Sequence, residues 1–599
     1  MPSQPEPVPV LSSTQRLLAL RAPVHASLSP DGALLSLTTT SITAGTEDTV
    51  TRWSLIDIAS GDEGPLPGAD VGTGRGVWSP DGSTLAAITG TDGTASLVLV
   101  DPTGTLPTRT LDGASRVAGA PLWSPDGTSI TVPCMRGVEV DRTRPYRWTR
   151  PSAAFDGMGP LEDPPQLRMI DVSTGDGTWM TDDGWRWAGV QWSPDGDRLA
   201  AVAGLDPNGL EFGQRLRIVG RDGAVTAPAT PTCRVLRAVW LDDGRLVALL
   251  VGATDRPFGS ASRLVVVDGE KVSAVAVTGD VELFGDVYGD SPAELTECPD
   301  YVLLADHGPA VIVRTGARGR MGIARVDVDS GAAELLVDGD RCASPIAVRR
   351  STLVFSSQSC ERPAEVAVLT GARHSQRRER NLTTFGPVAA GVTARRFVVA
   401  SPDGPDGWPL DAWFLTSPDA PDGVALPTVL AIHGGPQAAF GESFSIDFHA
   451  LCAAGFGVLY TNPRGSVGWG DEFAHAVIGD WADGPTRDVL AVVDHAVAQG
   501  WADGDRLGVT GLSYGGYLSA WLSSTTSRFR AAVIENPATD LASMWGASDI
   551  GFEFMAPQFG GAPYEAAEAY AAQSPLYRAH ESRTPTLFVI GEIDHRCPA

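Results

Sequence analysis

One tetrapeptide, Ser-Pro-Asp-Gly, recurs four times in the first 200 residues, and this repeat constrains the fold more than any other feature. The copies begin at Ser29, Ser79, Ser124 and Ser193, and a degenerate copy begins at Trp240. Ser, Pro and Gly at the first, second and fourth positions favour a type I turn, and the alternating apolar residues that follow suit a β-strand. Each copy therefore predicts a strand, a turn and a second strand.

The spacing of the repeat predicts the architecture of the first two thirds of the chain. Successive copies are 50, 45, 69 and about 48 residues apart. A period in the forties to fifties with several short strands is typical of a β-propeller blade. Residues 21–388 have room for about seven or eight such units. We predict a seven-bladed propeller there, preceded by an N-terminal extension over residues 1–20. A β-sandwich of unrelated hairpins is the alternative, but it gives no reason for the string to recur in phase.

The hydrophobic pattern changes after residue 388. Apolar runs that end in polar or glycine-rich loops now alternate with helical stretches, as in residues 427–436, 456–466, 506–516, 531–537 and 584–596. This alternation predicts an α/β domain with a mostly parallel sheet over residues 389–599. In such sheets, functional groups collect at the carboxyl ends of the strands.

Ser513 lies at one of these strand ends, in the string Gly-Leu-Ser-Tyr-Gly-Gly-Tyr. The Gly-x-Ser-x-Gly pattern alone is weak evidence because it fixes only three positions. Here, however, an apolar strand precedes it and a helical stretch follows it, which is the context of a nucleophile on a sharp strand-to-helix turn. Small flanking residues suit the strained backbone of such a turn. We therefore predict that Ser513 is a nucleophile.

Five strings carry a resemblance to a known family. They are HGGP at 433–436, NPRGSVGWG at 462–470, GLSYGGY at 511–517, SPLYRA at 574–579 and GEIDHRCP at 591–598. In these strings and in the order of its two domains, the chain resembles the prolyl oligopeptidase family of serine peptidases, nearest its acylaminoacyl-peptidase-like branch. The resemblance implies a propeller followed by an α/β-hydrolase domain.

The resemblance also implies a set of site residues. Ser513 would be the nucleophile, and Asp594 would orient the catalytic histidine. The backbone N–H groups of Tyr514 and Gly435 would form the oxyanion hole. Neither a metal nor an organic cofactor would be needed, and no His, Asp or Glu cluster in the sequence has the spacing of metal ligands.

A stretch after the next strand, residues 543–554, is a candidate for the substrate pocket. It offers four apolar side chains that could accept a hydrophobic residue of a substrate: Met544, Trp545, Phe552 and Phe554. Core packing beneath a helical segment is an equally good explanation for any one of them.

The sequence departs from the family in its histidine. A triad in this order needs a histidine well after Asp594, and the sequence ends at Ala599. The final strand, histidine loop and closing helix of the family are thus expected to be missing from it. His595 is a direct neighbour of Asp594 and cannot reach Ser513 with that aspartate behind it. We expect structural or surface roles for four other histidines of the domain, His433, His475, His495 and His580.

Composition limits the cellular locations and the binding partners that we expect for this protein. A net charge of −27 and a pI near 4.7 argue against nucleic acid and anionic membranes as partners. The sequence has neither an apolar run of about 18 residues nor a signal-peptide pattern, and its seven cysteines are scattered. We expect a cytoplasmic protein without disulfides that acts on short peptides, and a homo-oligomer is compatible with the sequence.

The leading functional prediction is a serine peptidase that releases N-acylated amino acids or cleaves short peptides. One alternative is a catalytically inactive module for peptide binding or assembly, which the missing histidine favours and the intact motifs disfavour. A carboxylesterase is a second alternative, although it gives no role to a propeller.

Overall fold

The computed structural model describes the larger part of the chain. Residues 1–19, which are nearly all of the predicted N-terminal extension, and the predicted domain boundary at residue 388 lie outside it. The described residues are 20–43, 48–67, 76–90, 95–136, 154–155, 159–160, 164–204, 214–228, 234–251, 257–269, 271–278, 281–283, 287–289, 303–372, 376–385, 391–404 and 407–598.

Antiparallel sheets follow one another along the chain in the described residues between 22 and 381, and they form seven blades. The strands of the first three blades are β1 (Ala22–Leu28), β2 (Leu34–Ile42), β3 (Thr49–Asp57) and β4 (Glu63–Pro65); β5 (Val77–Trp78), β6 (Leu85–Thr89), β7 (Ser96–Val100) and β8 (Arg109–Ser115); and β9 (Leu122–Trp123), β10 (Ser129–Cys134), β13 (Gln166–Asp171) and β14 (Gly177–Trp179). A separate hairpin, β11 (Ala154–Phe155) and β12 (Gly159–Pro160), lies between β10 and β13 in the chain.

The later blades are less regular. The fourth and fifth contain β15 (Arg186–Trp192), β16 (Arg198–Gly204), β17 (Arg215–Gly220) and β18 (Val225–Thr226), then β19 (Arg234–Trp240), β20 (Leu246–Val251), β21 (Arg263–Asp268) and β22 (Lys271–Ala274). The sixth contains β23 (Glu282–Leu283), β24 (Leu303–Ala305), β25 (Ala310–Ala317), β26 (Arg320–Asp327) and β27 (Ala333–Val337). The seventh contains β28 (Cys342–Arg349), β29 (Thr352–Ser359), β30 (Arg362–Thr370) and β31 (Arg378–Asn381). The single pair Met321–Cys342 joins the last two blades, and both β23 and β24 pair with β25.

The repeated tetrapeptide forms the same turn in all four copies. In the first copy, the Ser29 hydroxyl donates to Asp31 Oδ1 at 2.6 Å, and the Gly32 N–H donates to the Ser29 carbonyl at 2.9 Å. Gly32 has a φ of +79°, a conformation that favours glycine. The serine hydroxyl bond also lowers the pKa of the Asp31 carboxyl from its usual value. The predicted turn chemistry is therefore confirmed.

The residues of the repeat also connect neighbouring blades. The Trp78 indole N–H donates to the Ser27 carbonyl of the first blade at 3.0 Å, and the Trp123 indole N–H donates to the Val77 carbonyl of the second blade at 3.0 Å. Buried Trp N–H groups need such acceptors. The tryptophans before the second and third copies thus make the same contact with the blade that precedes each of them.

Side-chain packing brings the first and seventh blades together. Leu28 and Leu37 of the first blade share a buried cluster with Val354 and Val366 of the seventh. The Arg380 guanidinium donates to the Ile58 carbonyl across the same contact. The prediction of a propeller is confirmed, and its described strands divide into seven blades.

A mostly parallel sheet forms the second domain. In the described residues its strand order is β32 (Thr393–Ala400), β33 (Pro409–Thr416), β35 (Gly457–Thr461), β34 (Leu426–Ile432), β36 (Ala502–Leu512), β37 (Phe529–Glu535) and β38 (Thr586–Val589). The pairs β32–β33 and β33–β35 are antiparallel, and the others are parallel. This arrangement is the predicted α/β-hydrolase sheet.

Helices cover this sheet on both sides. They are α1 (Ile446–Ala453), α2 (Asp471–His475), α3 (Asp483–Ala498), α4 (Tyr514–Thr525), α5 (Leu541–Ala547), α6 (Gly551–Phe559), α7 (Ala567–Gln573) and a 3₁₀ helix over Pro575–Glu581. Among the described residues, no helix combines the length and the apolar character that crossing a membrane requires. Ile432, Gly511 and Ile534 are aligned across β34, β36 and β37, so the loops that follow these strands lie side by side.

A buried ion pair connects three elements of this domain. The Asp488 carboxylate on α3 is fully buried and accepts from Arg464 Nε at 2.9 Å and from the Ser401 hydroxyl at 2.7 Å. Arg464 belongs to the loop after β35, and Ser401 directly follows β32. The side-chain hydrogen bond to Asp488 raises the pKa of the Arg464 guanidinium.

The propeller contacts the α/β domain through paired charges and backbone groups. Arg318, in the turn between β25 and β26, makes a two-point ion pair with Asp411 at 2.8 and 2.9 Å. Glu282 accepts hydrogen bonds from the backbone of Gly468 and Gly470. Burial raises the pKa of the Glu282 carboxyl, and the nearby Asp471 carboxylate raises it further.

Replacing Asp488 with alanine is expected to destabilise the α/β domain strongly, because the Arg464 guanidinium stays buried without its main partner. Breaking a buried pair in this way costs about 3–5 kcal/mol. Asp494→Ala on the same helix is the matched control, since the Asp494 side chain is 63% exposed and pairs with Arg528 at the surface. Urea unfolding of the full chain measures both. Equal losses in the two variants would contradict the assigned role of Asp488.

Replacing Glu282 with glutamine is expected to stabilise the chain at neutral pH. A carboxyl whose pKa is raised by folding costs no stability below its ordinary pKa, and it becomes unfavourable as the pH rises through the raised value. The advantage of Glu282→Gln over the native protein should therefore grow between about pH 4 and pH 8. Thermal midpoints across this range, with the exposed Glu472→Gln as control, test the sign. A constant difference at all pH values would refute it.

Candidate active site

Ser513 lies on a sharp turn between β36 and α4. Its φ of +59° and ψ of −118° are unusual for a residue with a side chain. The turn is fixed on both sides, since the Ser513 N–H donates to the Glu535 carbonyl at 3.0 Å and the Ser513 carbonyl accepts from the Tyr517 N–H at 2.8 Å. Strain of this kind persists where the surrounding structure holds it in place. The predicted strand–turn–helix context is confirmed.

The glycines around Ser513 are required by close backbone approach. A β-carbon on Gly515 would lie 2.1 Å from the Ile432 carbonyl oxygen, and one on Gly511 would lie 2.5 Å from the Gly515 carbonyl carbon. Neither position has room for a side chain. The first turn of α4 therefore packs directly on the end of β34.

The loop after β34 borders the nucleophile turn. A β-carbon on Gly434 would lie 3.6 Å from Ser513 Cβ, so the HGGP loop and the serine are immediate neighbours. Gly435 has a φ of +120°, which only glycine adopts readily. Tyr514 is the first residue of α4, and the first N–H groups of a helix have no acceptor within that helix. The two predicted oxyanion donors thus lie on segments that flank Ser513.

The Tyr514 side chain points away from the cleft. It is buried, and its hydroxyl donates to the Trp481 carbonyl at 2.8 Å. Burial, and then the carboxylates of Asp480 and Asp488, raise the pKa of its phenol well above the usual value. This ring anchors the start of α4.

His433 has a structural environment. Its Nδ1 lies 2.6 Å from the Gly434 carbonyl oxygen, its Nε2 lies 2.9 Å from the Ser466 hydroxyl, and the residue is buried. Burial lowers the pKa of the imidazole to about 4. A neutral ring with Nδ1–H donating to Gly434 and Nε2 accepting from Ser466 satisfies both contacts. The His433 ring therefore connects the HGGP loop to Ser466 in the loop after β35.

Asp594 lies on a loop that is tied to the helices after β37. Its Oδ1 accepts from the backbone N–H groups of Arg596 and Cys597, both at 2.8 Å. Arg596 in turn forms a two-point ion pair with the buried Asp549 at 2.7 and 3.1 Å. The arginine of the GEIDHRCP string therefore fixes the loop that carries Asp594.

Cys597 contacts the nucleophile, which the sequence analysis missed. Its Sγ lies 3.6 Å from Ser513 Oγ, and the residue is 3% exposed. The only sequence signal was its position three residues after Asp594. The contact places the GEIDHRCP loop beside the serine turn.

The other described histidines have partners away from Ser513. Nε2 of His475 lies 2.9 Å from the Ser260 hydroxyl, and Nε2 of His449 lies 2.9 Å from the Cys360 carbonyl. His495 packs against Phe397 and Trp501. The remaining pairings are His25 with the Gly76 carbonyl, His307 with Asp242 and His580 with Glu581. His374 lies outside the described residues.

The four predicted pocket residues occupy different environments. Met544 is 6% exposed and belongs to the core of the domain, which agrees with the core-packing explanation for this residue. Trp545, Phe552 and Phe554 are half-buried. Phe554 also contacts Phe258 of the propeller, with ring centroids 5.2 Å apart. Three of the four side chains are thus partly exposed.

Metal ligands do not converge in the described part of the chain. Among those residues, no group of three or more His, Cys, Asp or Glu side chains is placed to hold a metal ion.

Comparison with known proteins gives one family. The prolyl oligopeptidase family matches residues 442–599. A Bacillus subtilis (strain 168) protein, the uncharacterized peptidase YuxL, is 39% identical over 194 residues, which are 32% of this chain and 30% of that protein. The acylamino-acid-releasing enzyme of Arabidopsis thaliana is 33% identical over 180 residues, which are 29% of this chain and 24% of that enzyme. The matched region is thus less than a third of the length of either relative.

A solved structure extends the likeness to nearly the whole chain. An acylaminoacyl peptidase in complex with Z-Gly-Gly-Phe-chloromethyl ketone superposes with a TM-score of 0.81 at 21% identity, over 98% of this chain and 88% of that one. At this identity the likeness establishes the fold, a propeller joined to an α/β-hydrolase domain. The family match over residues 442–599 includes the elbow at Ser513, so this part of the chain is similar to the prolyl oligopeptidase family.

Proposed function

We propose that this protein is a serine peptidase that releases N-acylated amino acids from short peptides or cleaves such peptides internally. The observation that carries the proposal is the strained Ser513 turn beside the Gly434–Gly435 loop. A serine hydroxyl held in this way, next to backbone donors, suits attack on a carbonyl carbon.

In the proposed mechanism, Ser513 Oγ attacks the scissile carbonyl and loses its proton to a histidine. The N–H groups of Tyr514 and Gly435 donate hydrogen bonds to the carbonyl oxygen and stabilise the negative charge that develops on it. The histidine then protonates the leaving amine, and water hydrolyses the acyl-enzyme. Asp594 is proposed to orient that histidine.

The histidine itself is not assigned to a residue of this sequence. The described histidines whose partners are given above all face other groups, and His595 is ruled out because it directly follows Asp594. The proposal therefore depends on a general base that enters the cleft beside Ser513 and Asp594.

The proposed substrates are short peptides with an apolar residue at the cleavage site. Trp545, Phe552 and Phe554 are proposed to contact that residue, and Met544 to support them from the core. The acylaminoacyl peptidase of similar fold has been solved with a blocked tripeptide inhibitor that ends in phenylalanine. That ligand has the chemistry such side chains would accept.

The propeller is proposed to exclude folded proteins from the site. Its loop at residues 257–262 touches the α/β domain at several points, including a hydrogen bond of 2.7 Å from the Ala261 N–H to Asp471 and the Phe258–Phe554 contact. A propeller docked this close leaves room for extended peptides rather than globular substrates. A cytoplasmic location and assembly into a homo-oligomer belong to the same proposal, and the described cysteines are free thiols.

A fluorophosphonate is expected to add once to the protein, because it reacts with an activated serine. Intact-mass spectrometry should show one adduct on the native chain, none on Ser513→Ala, and one on Ser527→Ala, a control at an exposed serine beyond α4. Absence of the adduct on the native chain would favour the inactive binding module. An adduct that persists on Ser513→Ala would place the reactive group elsewhere.

Hydrolysis of matched substrates separates the peptidase from the carboxylesterase. We expect an N-acetyl-phenylalanine anilide to be cleaved, and the activity to be lost in Ser513→Ala. Cleavage of the corresponding ester alone would favour the carboxylesterase.

A further inference from the structure

One short propeller segment, residues 287–289, reaches the loop that follows the HGGP string. The Tyr288 N–H donates to the Ala439 carbonyl at 2.7 Å, and the Ser443 hydroxyl donates to the Tyr288 carbonyl. A β-carbon on Gly289 would lie 2.4 Å from Ser443 Oγ and 2.8 Å from the Phe444 carbonyl oxygen, so the segment has no room for a side chain there. These contacts fix the main chain of Tyr288 against the α/β domain.

The Tyr288 hydroxyl lies next to the nucleophile turn. A β-carbon on Gly434 would lie 3.5 Å from the Tyr288 hydroxyl oxygen and 3.6 Å from Ser513 Cβ. The small volume in front of Gly434 is therefore bounded by the serine on one side and by the phenol on the other. Tyr288 is 43% exposed, so its ring borders solvent rather than the core.

The same volume adjoins the proposed oxyanion donors. Gly435 follows Gly434 directly, and Tyr514 follows Ser513, so a peptide bond positioned for attack would pass in front of Gly434. A phenol can donate one hydrogen bond and accept others, and the exposed acceptors of an extended peptide are its carbonyl oxygens. Gly434 leaves this space open because it has no side chain.

Two further propeller segments hold the neighbouring loop in register. The Glu442 N–H donates to the Gly319 carbonyl at 2.8 Å, and a β-carbon on Gly259 would lie 2.5 Å from Gln437 Cγ. The loop over residues 437–443, which contacts Tyr288, is thus held by three separate propeller segments. A hydroxyl held by so rigid a frame can select a fixed ligand geometry.

We propose that the propeller completes the active site with Tyr288, whose hydroxyl donates a hydrogen bond to a carbonyl oxygen on the acyl side of the bound peptide. This inference rests on the proposed peptidase function and deepens it. Tyr288 is then a substrate-binding residue supplied by the domain that carries no catalytic group.

Peptide binding without turnover tests this role. In the full chain with Ser513→Ala, calorimetric titration with N-acetyl-Gly-Gly-Phe-amide gives a reference Kd. Adding Tyr288→Phe keeps the ring and removes only the hydroxyl, and we expect the Kd to rise about five- to tenfold, as for one hydrogen bond. Tyr577→Phe, at an exposed tyrosine on the 3₁₀ helix, is the control and should leave the Kd unchanged.

A second variant tests the space itself. Gly434→Ala would meet its neighbours at 3.3–3.6 Å, close to ordinary contact distances, so the variant is expected to fold. It should nevertheless abolish measurable peptide binding because the new methyl group fills the volume between Tyr288 and Ser513. Thermal midpoints of all variants confirm that they are folded.

The outcomes separate this inference from the proposed function. An unchanged Kd in Tyr288→Phe overturns the role of Tyr288, while fluorophosphonate labelling of Ser513 would still support the peptidase. Failure of the peptide to bind the Ser513→Ala chain at all overturns both the role of Tyr288 and the proposed substrate class. A rise in Kd for Tyr577→Phe that is as large as the rise for Tyr288→Phe also overturns the inference.

Discussion

The contact between the first turn of α4 and the last carbonyl of β34 is the constraint on which the site depends. At Gly515 the two backbones are so close that a β-carbon would lie 2.1 Å from the Ile432 oxygen. Because of this approach, the serine at the start of α4 and the glycine loop after β34 cannot be positioned independently. The contact between α4 and β34 therefore positions both the nucleophile and the backbone donors. The buried side chains of His433 and Tyr514 stabilise this contact.

The propeller also constrains the loop that follows the HGGP string. It touches the loop that continues from HGGP through segments 258–260, 288–289 and 318–319. The resulting loop is held between a rigid sheet and a rigid ring of blades. The local geometry of the cleft is therefore a property of both domains, although only one of them carries the reactive serine.

Much of the fold could be predicted from local sequence chemistry. The Ser-Pro-Asp-Gly turns and their tryptophans predicted the early blades because each contact lies within one repeat or between consecutive repeats. The signature fades after Trp240, and the sixth blade, in which β23 and β24 share one neighbour, could not be read from the sequence. In this blade, Glu282 of β23 accepts from the backbone of Gly468 and Gly470 in the α/β domain, a contact that no turn motif predicts.

The site shows the same division. Ser513 and the structural role of His433 follow from short strings whose backbone demands are local. The contacts of Cys597 with Ser513 and of Tyr288 with the HGGP region join residues 84 or more positions apart. The first contact forms when the α/β domain folds and the second when the two domains pack together, and no local pattern encodes either of them.

The buried carboxylate of Glu442 connects the two domains and so affects how the chain unfolds. It accepts from Arg396 and Trp413 of the α/β domain, at 2.7 and 2.9 Å, and from the Cys360 thiol of the seventh blade at 3.4 Å. A group so placed belongs to neither domain alone. Separating the seventh blade from the α/β sheet would break the bond from the Cys360 thiol to a buried carboxylate, so Glu442 opposes opening of the chain at the linker between the domains.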